Sequence, residues 1–286
     1  MFFDAHNHLH DAWLAPHRAA VLVELEALPL GAAVVNGTAE DDWAEVTALA
    51  AADAVGRGRA RLWPSYGLHP WDVGNATPAW RERLRDVLTK AVRPLVGEVG
   101  LDRWILERAR PDDPRLAGLR RAPLDEQVAA LRWQLALAAE HGWPVTLHCL
   151  EAWGPLLDVL RDGPRLPRGF LLHAYGGSAE LAREFAALGA YFSFNGAFLE
   201  PRQAAKRAVF AGLPAERLLV ETDAPAMPLP EARRTHALPP REDGTTVNHP
   251  GNLVAAYAGL AEIRRWMPAE LRERVAENFV RLFGPL

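Results

Sequence analysis

The sequence Asp4-Ala5-His6-Asn7-His8 closes a short apolar run at the start of the chain. Successive side chains of a strand point to opposite faces, so His6 and His8 are predicted to lie on the same face. Two imidazoles presented side by side are a chelating pair for a divalent metal. A doubly wound open sheet would normally carry a glycine-rich phosphate loop after its first strand. The histidine pair occupies that place here, which disfavours a doubly wound sheet.

Strand-like and helix-like segments alternate along the rest of the chain. Such alternation is typical of parallel βαβ units, and eight units of roughly 30 residues fit a (β/α)8 barrel. We therefore predict an α/β fold, a (β/α)8 TIM barrel, with residues 1–286 forming a single domain. The predicted strands are Phe2–His6, Ala32–Asn36, Leu62–Leu68, Leu95–Val99, Pro144–His148, Phe170–His173, Ala190–Phe194 and Leu218–Thr222. The clearest predicted helices are Trp43–Val55, Trp80–Val92, Leu124–His141, Glu180–Leu188, Pro250–Trp266 and Pro268–Phe283.

The composition is that of an ordinary globular protein, with 286 residues, 49% of them apolar and 24% charged. The net charge of −4 provides no overall basic field for nucleic acid, so attraction would require a local patch or bound metal. The single cysteine, Cys149, excludes an internal disulfide framework. We find no signal peptide and no apolar run long enough to span a membrane, and we expect a cytoplasmic protein with no obligate protein partner.

Metal-ligand side chains stand at the ends of the predicted strands. The carboxyl ends of all barrel strands meet at one face, where active sites form. Mixed imidazole and carboxylate ligands suit Zn, Mn, Fe or Co, and leave Mg possible. Six ligands exceed the needs of one catalytic zinc, so we predict two divalent ions roughly 3.5–4 Å apart. The predicted ligands are His6, His8, Glu98, His148, His173 and Asp223.

A bridging carboxylate is expected between the two ions, and Glu98 lies midway between the two histidine pairs. A carboxylated lysine is the other bridge found in barrel hydrolases. Neither Lys90 nor Lys206 ends a predicted strand, which closes that option.

Six motifs, in this order, resemble the TatD family of metal-dependent deoxyribonucleases over almost the whole chain. The resemblance implies a TIM-barrel metallohydrolase of the amidohydrolase superfamily. It also implies one ion held by His6, His8, Glu98 and Asp223, and another held by Glu98, His148 and His173. The motifs are Asp4-Ala5-His6-Asn7-His8, Gly67-Leu68-His69-Pro70, Gly97-Glu98-Val99-Gly100-Leu101-Asp102, Pro144-Val145-Thr146-Leu147-His148, His173-Ala174-Tyr175-Gly176-Gly177-Ser178 and Glu221-Thr222-Asp223-Ala224-Pro225.

Three positions depart from the family pattern. Leu150 stands where members commonly carry an arginine two residues after the fifth-strand histidine. His249 replaces the glutamate of an Asn-Glu-Pro segment, and His10 replaces an aspartate near the first histidine pair. The loss of an arginine near a phosphate site weakens the case for phosphate recognition.

The expected activity is hydrolysis of phosphodiesters, in DNA ends or damaged DNA, by water activated between two metal ions. The predicted catalytic residues are Asp223, Glu98 and His69. Asp223 is expected to hold and deprotonate the water or only to bind metal. His69 is expected to donate to a substrate oxygen or only to hydrogen-bond within a turn. The alternative activity keeps the metals but hydrolyses a C–N or C–O bond of a small molecule.

Several neighbouring residues have expected supporting roles. Asp4 is expected to orient a ligand, Asp102 to anchor a loop and Cys149 to be buried and inert. Trp71 and Trp104 fall in loops at the barrel mouth, where they could stack on unpaired bases. The long segments Arg103–Pro123 and Ala224–Pro250 are candidate substrate-facing loops.

Overall fold

The structure is a computed structural model that describes residues 1–55 and 61–286. Strands alternate with helices along the chain, as the sequence predicts. The strands are β1 (Phe2–Asn7), β2 (Leu30–Asn36), β3 (Leu62–Ser65), β4 (Val96–Asp102), β5 (Val145–Leu150), β6 (Phe170–Leu172), β7 (Ala190–Asn195) and β8 (Leu218–Glu221). The α-helices are α1 (Arg18–Glu26), α2 (Trp43–Ala54), α3 (Trp80–Lys90), α4 (Trp104–Glu107), α5 (Leu124–His141), α6 (Trp153–Asp162), α7 (Ala179–Ala187), α8 (Ala204–Gly212), α9 (Leu253–Arg264) and α10 (Pro268–Phe283).

The strands pair in parallel in two groups, β1-β2-β3 and β4-β5-β6-β7-β8. Tyr66 bridges to Val96 and joins the first group to the second. At the other edge the Asp223 amide donates to the His6 carbonyl at 2.9 Å, and the His8 amide to the Ala224 carbonyl at 2.8 Å. These contacts close the sheet, and the predicted (β/α)8 barrel is confirmed.

Burial of the strands on both faces explains their composition. Every residue of β2, β4, β7 and β8 is buried, because helices cover the outside while side chains fill the interior. The apolar stripe of α10 packs against β1 and β8 and places the Phe279 ring 4.8 Å from the Phe3 ring. The barrel is therefore a packed support that fixes the ends of its strands.

The third strand is shorter than predicted and ends at Ser65 instead of Leu68. The Leu68 amide and carbonyl bind the Gln134 side chain of α5 at 2.8 and 3.2 Å. That side-chain amide replaces the neighbouring strand, so the backbone leaves the sheet and turns toward His69. The first strand is longer by one residue and includes Asn7.

The segment Arg103–Pro123 contains α4 and a 3-10 turn at Pro114–Leu116. It lies against the loop that follows β3, where Arg120 Nε donates to the Gly74 carbonyl at 2.8 Å. Two loops from adjacent strands thus form one rim of the barrel mouth. Among the described helices, none has the length and apolar character needed to cross a membrane.

Candidate metal centre

The six predicted ligand side chains meet at the carboxyl end of the barrel. His6, Glu98 and His148 lie on β1, β4 and β5, while His173 directly follows β6. His8 and Asp223 lie just beyond β1 and β8. The φ of Asp223 is 52°, a left-handed conformation that aspartate tolerates better than most residues. None of the six side chains is more than 15% exposed.

One group of ligand atoms comes from β1, β4 and β8. His6 Nε2 and His8 Nε2 are 3.1 Å apart. Glu98 Oε2 lies 3.3 and 3.2 Å from these two nitrogens, and Asp223 Oδ1 lies 3.6 and 3.5 Å from them. Two nitrogens and two carboxylate oxygens therefore surround a common point.

A second group forms around the other oxygen of Glu98. Glu98 Oε1 lies 3.0 Å from His148 Nδ1 and 2.8 Å from His173 Nε2. The two imidazole nitrogens are themselves 3.3 Å apart. Glu98 thus presents one oxygen to each group, the arrangement expected of a carboxylate that bridges two ions.

These spacings fit metal ligation. Two ligand atoms about 2.1 Å from an ion in tetrahedral geometry are separated by about 3.4 Å, close to the distances in both groups. Three sets of side chains have ligand atoms mutually within 4.8 Å, namely His6-Glu98-His173, His6-His8-Asp223 and His69-Glu98-His148. The residues present therefore fit divalent metal ions, and the number of two ions stays a prediction.

Hydrogen bonds outside the two groups fix the imidazole tautomers. His8 Nδ1 lies 2.7 Å from the Asn36 carbonyl, which can only accept, so Nε2 keeps its lone pair for a metal. His148 Nε2 lies 3.0 Å from Asp102 Oδ2, which leaves Nδ1 free to ligate. Asp102 also anchors the loop after β4, as expected, since its Oδ1 accepts from the Ile105 amide at 3.0 Å. Its contact with His148 is a further role that the sequence did not predict.

His69 occupies the same cavity but differs in tautomer. Its Nδ1 accepts from the Trp71 amide at 3.2 Å, so the proton of the neutral ring is on Nε2. His69 Nε2 faces Glu98 Oε1 at 3.4 Å. A protonated Nε2 is a donor, which favours donation to a substrate oxygen over metal ligation.

Burial and ion pairing set opposite pKa shifts across the site. Burial opposes ionisation of Glu98, but His173, His69, His6 and His148 outweigh it and hold its pKa well below the ordinary value. Burial lowers the imidazole pKa of His6 and His69. Hydrogen bonds to Asp102 and Glu98 overcome the burial of His148 and raise its pKa to about 9. The His148 imidazole therefore carries an extra proton at neutral pH without metal, and a bound cation would displace that proton.

Among the remaining proposed ligands, too, contacts with neighbouring charged groups outweigh the effect of burial on the pKa. For Asp223, hydrogen bonding to His8 overcomes burial and lowers the carboxyl pKa. The neighbouring carboxylates likewise overcome burial and raise the pKa of His8 and His173 well above the ordinary value. Both Glu98 and Asp223 are thus ionised at neutral pH.

Asp4, which is expected to orient a ligand, accepts at Oδ1 from the backbone amide of His6 at 3.3 Å. Asp4 lies below the ligands and joins β1 to β8, with its Oδ2 accepting from Thr222 Oγ1 at 2.6 Å. Burial is the main cause that raises the Asp4 pKa to about 7. Cys149 is buried, and burial raises the pKa of its thiol. Glu221, which sequence reasoning missed, lies 3.7 Å from His173 Nδ1 through its Oε1.

The three residues that depart from the family pattern, Leu150, His10 and His249, have different surroundings. The Leu150 side chain is exposed at the mouth. His10 Nε2 lies 3.3 Å from Asp42 Oδ2 in the loop after β2, and the His10 ring meets the ring of the ligand His8 edge-on, with centroids 5.9 Å apart. His249 Nδ1 accepts from the Gly251 amide at 2.9 Å and caps the 3-10 turn Pro250–Asn252.

The chain is similar to known proteins over almost its whole length. The TatD related DNase family model matches residues 3–284. The metal-dependent hydrolase YjjV of Escherichia coli (strain K12) is 29% identical over 99% of this chain and 98% of its own length. The crystal structure of Escherichia coli YjjV, a TatD homologue, superposes with a TM-score of 0.80 and covers 100% of this chain and 98% of that one.

A second relative carries a more specific name. The 3'-5' ssDNA/RNA exonuclease TatD of Klebsiella pneumoniae (strain 342) is 31% identical over 76% of each chain. The barrel, the order of the motifs and the near-complete family match lead to the same conclusion: the chain is a metal-dependent hydrolase that belongs to the TatD related DNase family.

Proposed function

We propose that this protein is a phosphodiesterase that uses two divalent ions, zinc, manganese or similar, to hydrolyse single-stranded DNA at its ends. The observation that carries the proposal is the placement of the two Glu98 oxygens, one in each ligand group. The Klebsiella pneumoniae relative, named a 3'-5' ssDNA/RNA exonuclease, supports a nucleic-acid substrate. We further propose that residues 1–286 act as one hydrolase domain; the cytoplasmic location stays a prediction.

The residues divide the chemistry between them. Ions held by His6, His8, Glu98, His148, His173 and Asp223 would lower the pKa of water and neutralise charge on a phosphoryl group. Asp223 is ionised at neutral pH because its pKa is lowered, and its carboxylate accepts a proton from the attacking water. His69, a neutral imidazole, donates a hydrogen bond from Nε2 to a substrate oxygen and keeps its proton.

The first experiment is hydrolysis of bis(p-nitrophenyl) phosphate in the presence of Mn²⁺ or Zn²⁺. We expect turnover by the wild type and a loss of at least about 100-fold in Glu98→Ala and Asp223→Ala, since each removes a direct ligand. Glu151→Ala is the matched control, because Glu151 is an exposed carboxylate just beyond β5 that pairs with Arg108. Absence of turnover by a folded, metal-loaded wild type would overturn the phosphodiesterase proposal.

A second candidate activity is hydrolysis of a small amide or ester at the same metal centre. The exposed Leu150 side chain favours it, since an apolar group stands where relatives of this kind commonly carry an arginine. Turnover of small carboxamides or carboxylic esters without phosphodiester turnover would identify this activity.

A further inference from the structure

Two tryptophans and an arginine form a cluster on the rim of the barrel mouth. Trp71 lies in the loop after β3, and Trp104 begins α4 after β4. Their rings stack with centroids 6.1 Å apart and planes inclined by 23°. The Arg115 guanidinium carbon lies 4.7 Å from the Trp104 centroid and 5.9 Å from that of Trp71. We call the two indoles the indole platform.

The platform is tied to the metal centre through one carboxylate. Trp71 Nε1 donates to Asp102 Oδ2 at 2.6 Å, and the same oxygen lies 3.0 Å from His148 Nε2. Arg115 is held by Asp113, with Nε to Oδ1 at 2.9 Å and Nη2 to Oδ2 at 2.7 Å. A group resting on the platform would therefore lie next to the second ligand group.

The platform has no role in the core of the described chain. Other tryptophans, such as Trp80, Trp133 and Trp266, pack against the hydrophobic core, whereas Trp71 and Trp104 lie outside it. Both indoles are partly exposed, and 46% of the Arg115 side chain is accessible. The hydrophobic core thus does not account for the two tryptophans, whose contacts are to each other, to Arg115, to Asp102 and to His69.

We propose that the indole platform and Arg115 form a nucleotide subsite that stacks a base and contacts the phosphate beside the scissile bond. The proposal rests on the proposed function. Stacking suits any unpaired base because every base has a π-face, and a duplex would hide those faces. Arg115 supplies, from the β4–α5 loop, the cation that is missing at Leu150. The subsite therefore selects single strands without selecting sequence.

The test measures binding independently of hydrolysis. A fluorescein-labelled octathymidylate with phosphorothioate linkages is titrated with metal-loaded protein, and its anisotropy gives Kd. We expect Trp104→Ala to raise Kd about tenfold and Trp104→Phe to restore most of the affinity. Trp266→Ala is the matched control: Trp266 also lies beneath two arginines, Arg264 at 4.3 Å and Arg274 at 5.0 Å, but beside α10. It should leave Kd unchanged.

An abasic phosphorothioate oligomer of equal length separates stacking from charge. The wild type should bind it about tenfold more weakly than octathymidylate, and Trp104→Ala should lose nothing further on it. Arg115→Gln should lower the slope of log Kd against log salt by about 0.7, the value for one phosphate contact on a single strand. An unchanged Kd in Trp104→Ala, or an equal loss on the abasic oligomer, overturns the subsite.

The two proposals fail in distinguishable ways. Turnover of bis(p-nitrophenyl) phosphate with no dependence of binding on Trp104 removes the subsite and leaves the phosphodiesterase. Base-dependent binding through Trp104 with no phosphodiester turnover supports the subsite and removes the proposed chemistry.

Discussion

Asp102 shows how one residue outside the ligand groups governs the metal centre. Its Oδ2 holds His148 Nε2 and Trp71 Nε1, which fixes the tautomer that aims His148 Nδ1 at Glu98. In Asp102→Asn the neutral amide would hold the imidazole less strongly. We expect the affinity for one of the two ions to fall by about 10- to 100-fold. Calorimetric titration of the metal-free protein with Zn²⁺ measures this loss.

Glu151→Gln is the matched control for the Asp102 variant, since it neutralises a carboxylate at the same end of β5 without contact to a ligand. Its two ion affinities should equal those of the wild type. Equal affinities in Asp102→Asn would show that Asp102 acts only on the loop.

The convergence of the six proposed ligands could be predicted from the sequence because strand ends meet at one face of the barrel, whatever the details of the loops. To bring His6, Glu98 and His148 together, it was enough to predict the strands that carry them, β1, β4 and β5. The contact of Asp102 with His148, and of Arg115 with Trp104, depends on the path of loops and on rotamers. No periodicity in the sequence encodes those choices.

At the level of elements, β4 and β5 approach each other at Gly100. A Cβ built on Gly100 would lie 2.0 Å from the His148 carbonyl oxygen, a backbone atom that cannot move without separating the strands. We expect Gly100→Ala to lower the free energy of unfolding by about 3 kcal/mol, the upper range for overpacking. Urea unfolding of the metal-free protein measures it.

Gly154 provides the opposite control. It lies in α6, and a Cβ there would meet nothing within 4 Å. Gly154→Ala should change the free energy of unfolding by less than about 1 kcal/mol, because the gain in helix propensity is opposed by the steric restriction on a residue that precedes proline, here Pro155. If both variants unfold alike, the close approach of β4 to β5 is not as the structure shows.

The 3-10 turn Pro250–Asn252 carries a pH-dependent contribution to stability. Burial, followed by the charge of His236, lowers the pKa of its cap His249 to about 4. In the unfolded chain the His249 imidazole takes up a proton near pH 6.5, whereas in the folded protein it stays neutral until about pH 4. Stability should therefore fall as pH drops through this window, by roughly 2–3 kcal/mol.

His249→Gln isolates that contribution, since a glutamine oxygen can still accept from the Gly251 amide. The free energy of unfolding, measured by urea at pH 7.5, 6.0 and 5.0, should depend less on pH in this variant. Parallel pH profiles for the variant and the wild type would contradict the assignment to His249.

The length of the third strand could not be predicted from the sequence. The apolar run Leu62–Leu68 predicts a strand of that length. In the structure, however, the Gln134 side-chain amide forms hydrogen bonds with the amide and carbonyl groups of Leu68. A side chain from a helix far along the chain thus ended the strand. Strand existence follows from local pattern, and strand length depends on such distant contacts.

For the whole molecule, the metal centre joins the two strand groups of the barrel. His6 and His8 lie on or just beyond a strand of the group β1-β2-β3, whereas the other four proposed ligands lie on or just beyond strands of the group β4–β8. These four are Glu98, His148, His173 and Asp223. Metal ions that bind ligands from both groups of strands would stabilise only the folded chain. The gain is about 4 kcal/mol when the free metal concentration is a thousand times its Kd. Chelation should therefore lower the Tm by roughly 10 °C, measured by calorimetry, and added Zn²⁺ or Mn²⁺ should restore it.

Glu98→Ala tests whether that response arises at this centre. The two oxygens of Glu98 face different ligand groups, so its loss should weaken the binding of both proposed ions together. The variant should show little change of Tm on chelation. A full response in Glu98→Ala would place the stabilising ions elsewhere, and no response in the wild type would mean that the barrel closes without them. Because the β8–β1 edge also has backbone bonds at 2.8 and 2.9 Å, the metal-free protein should still fold, with a lower Tm.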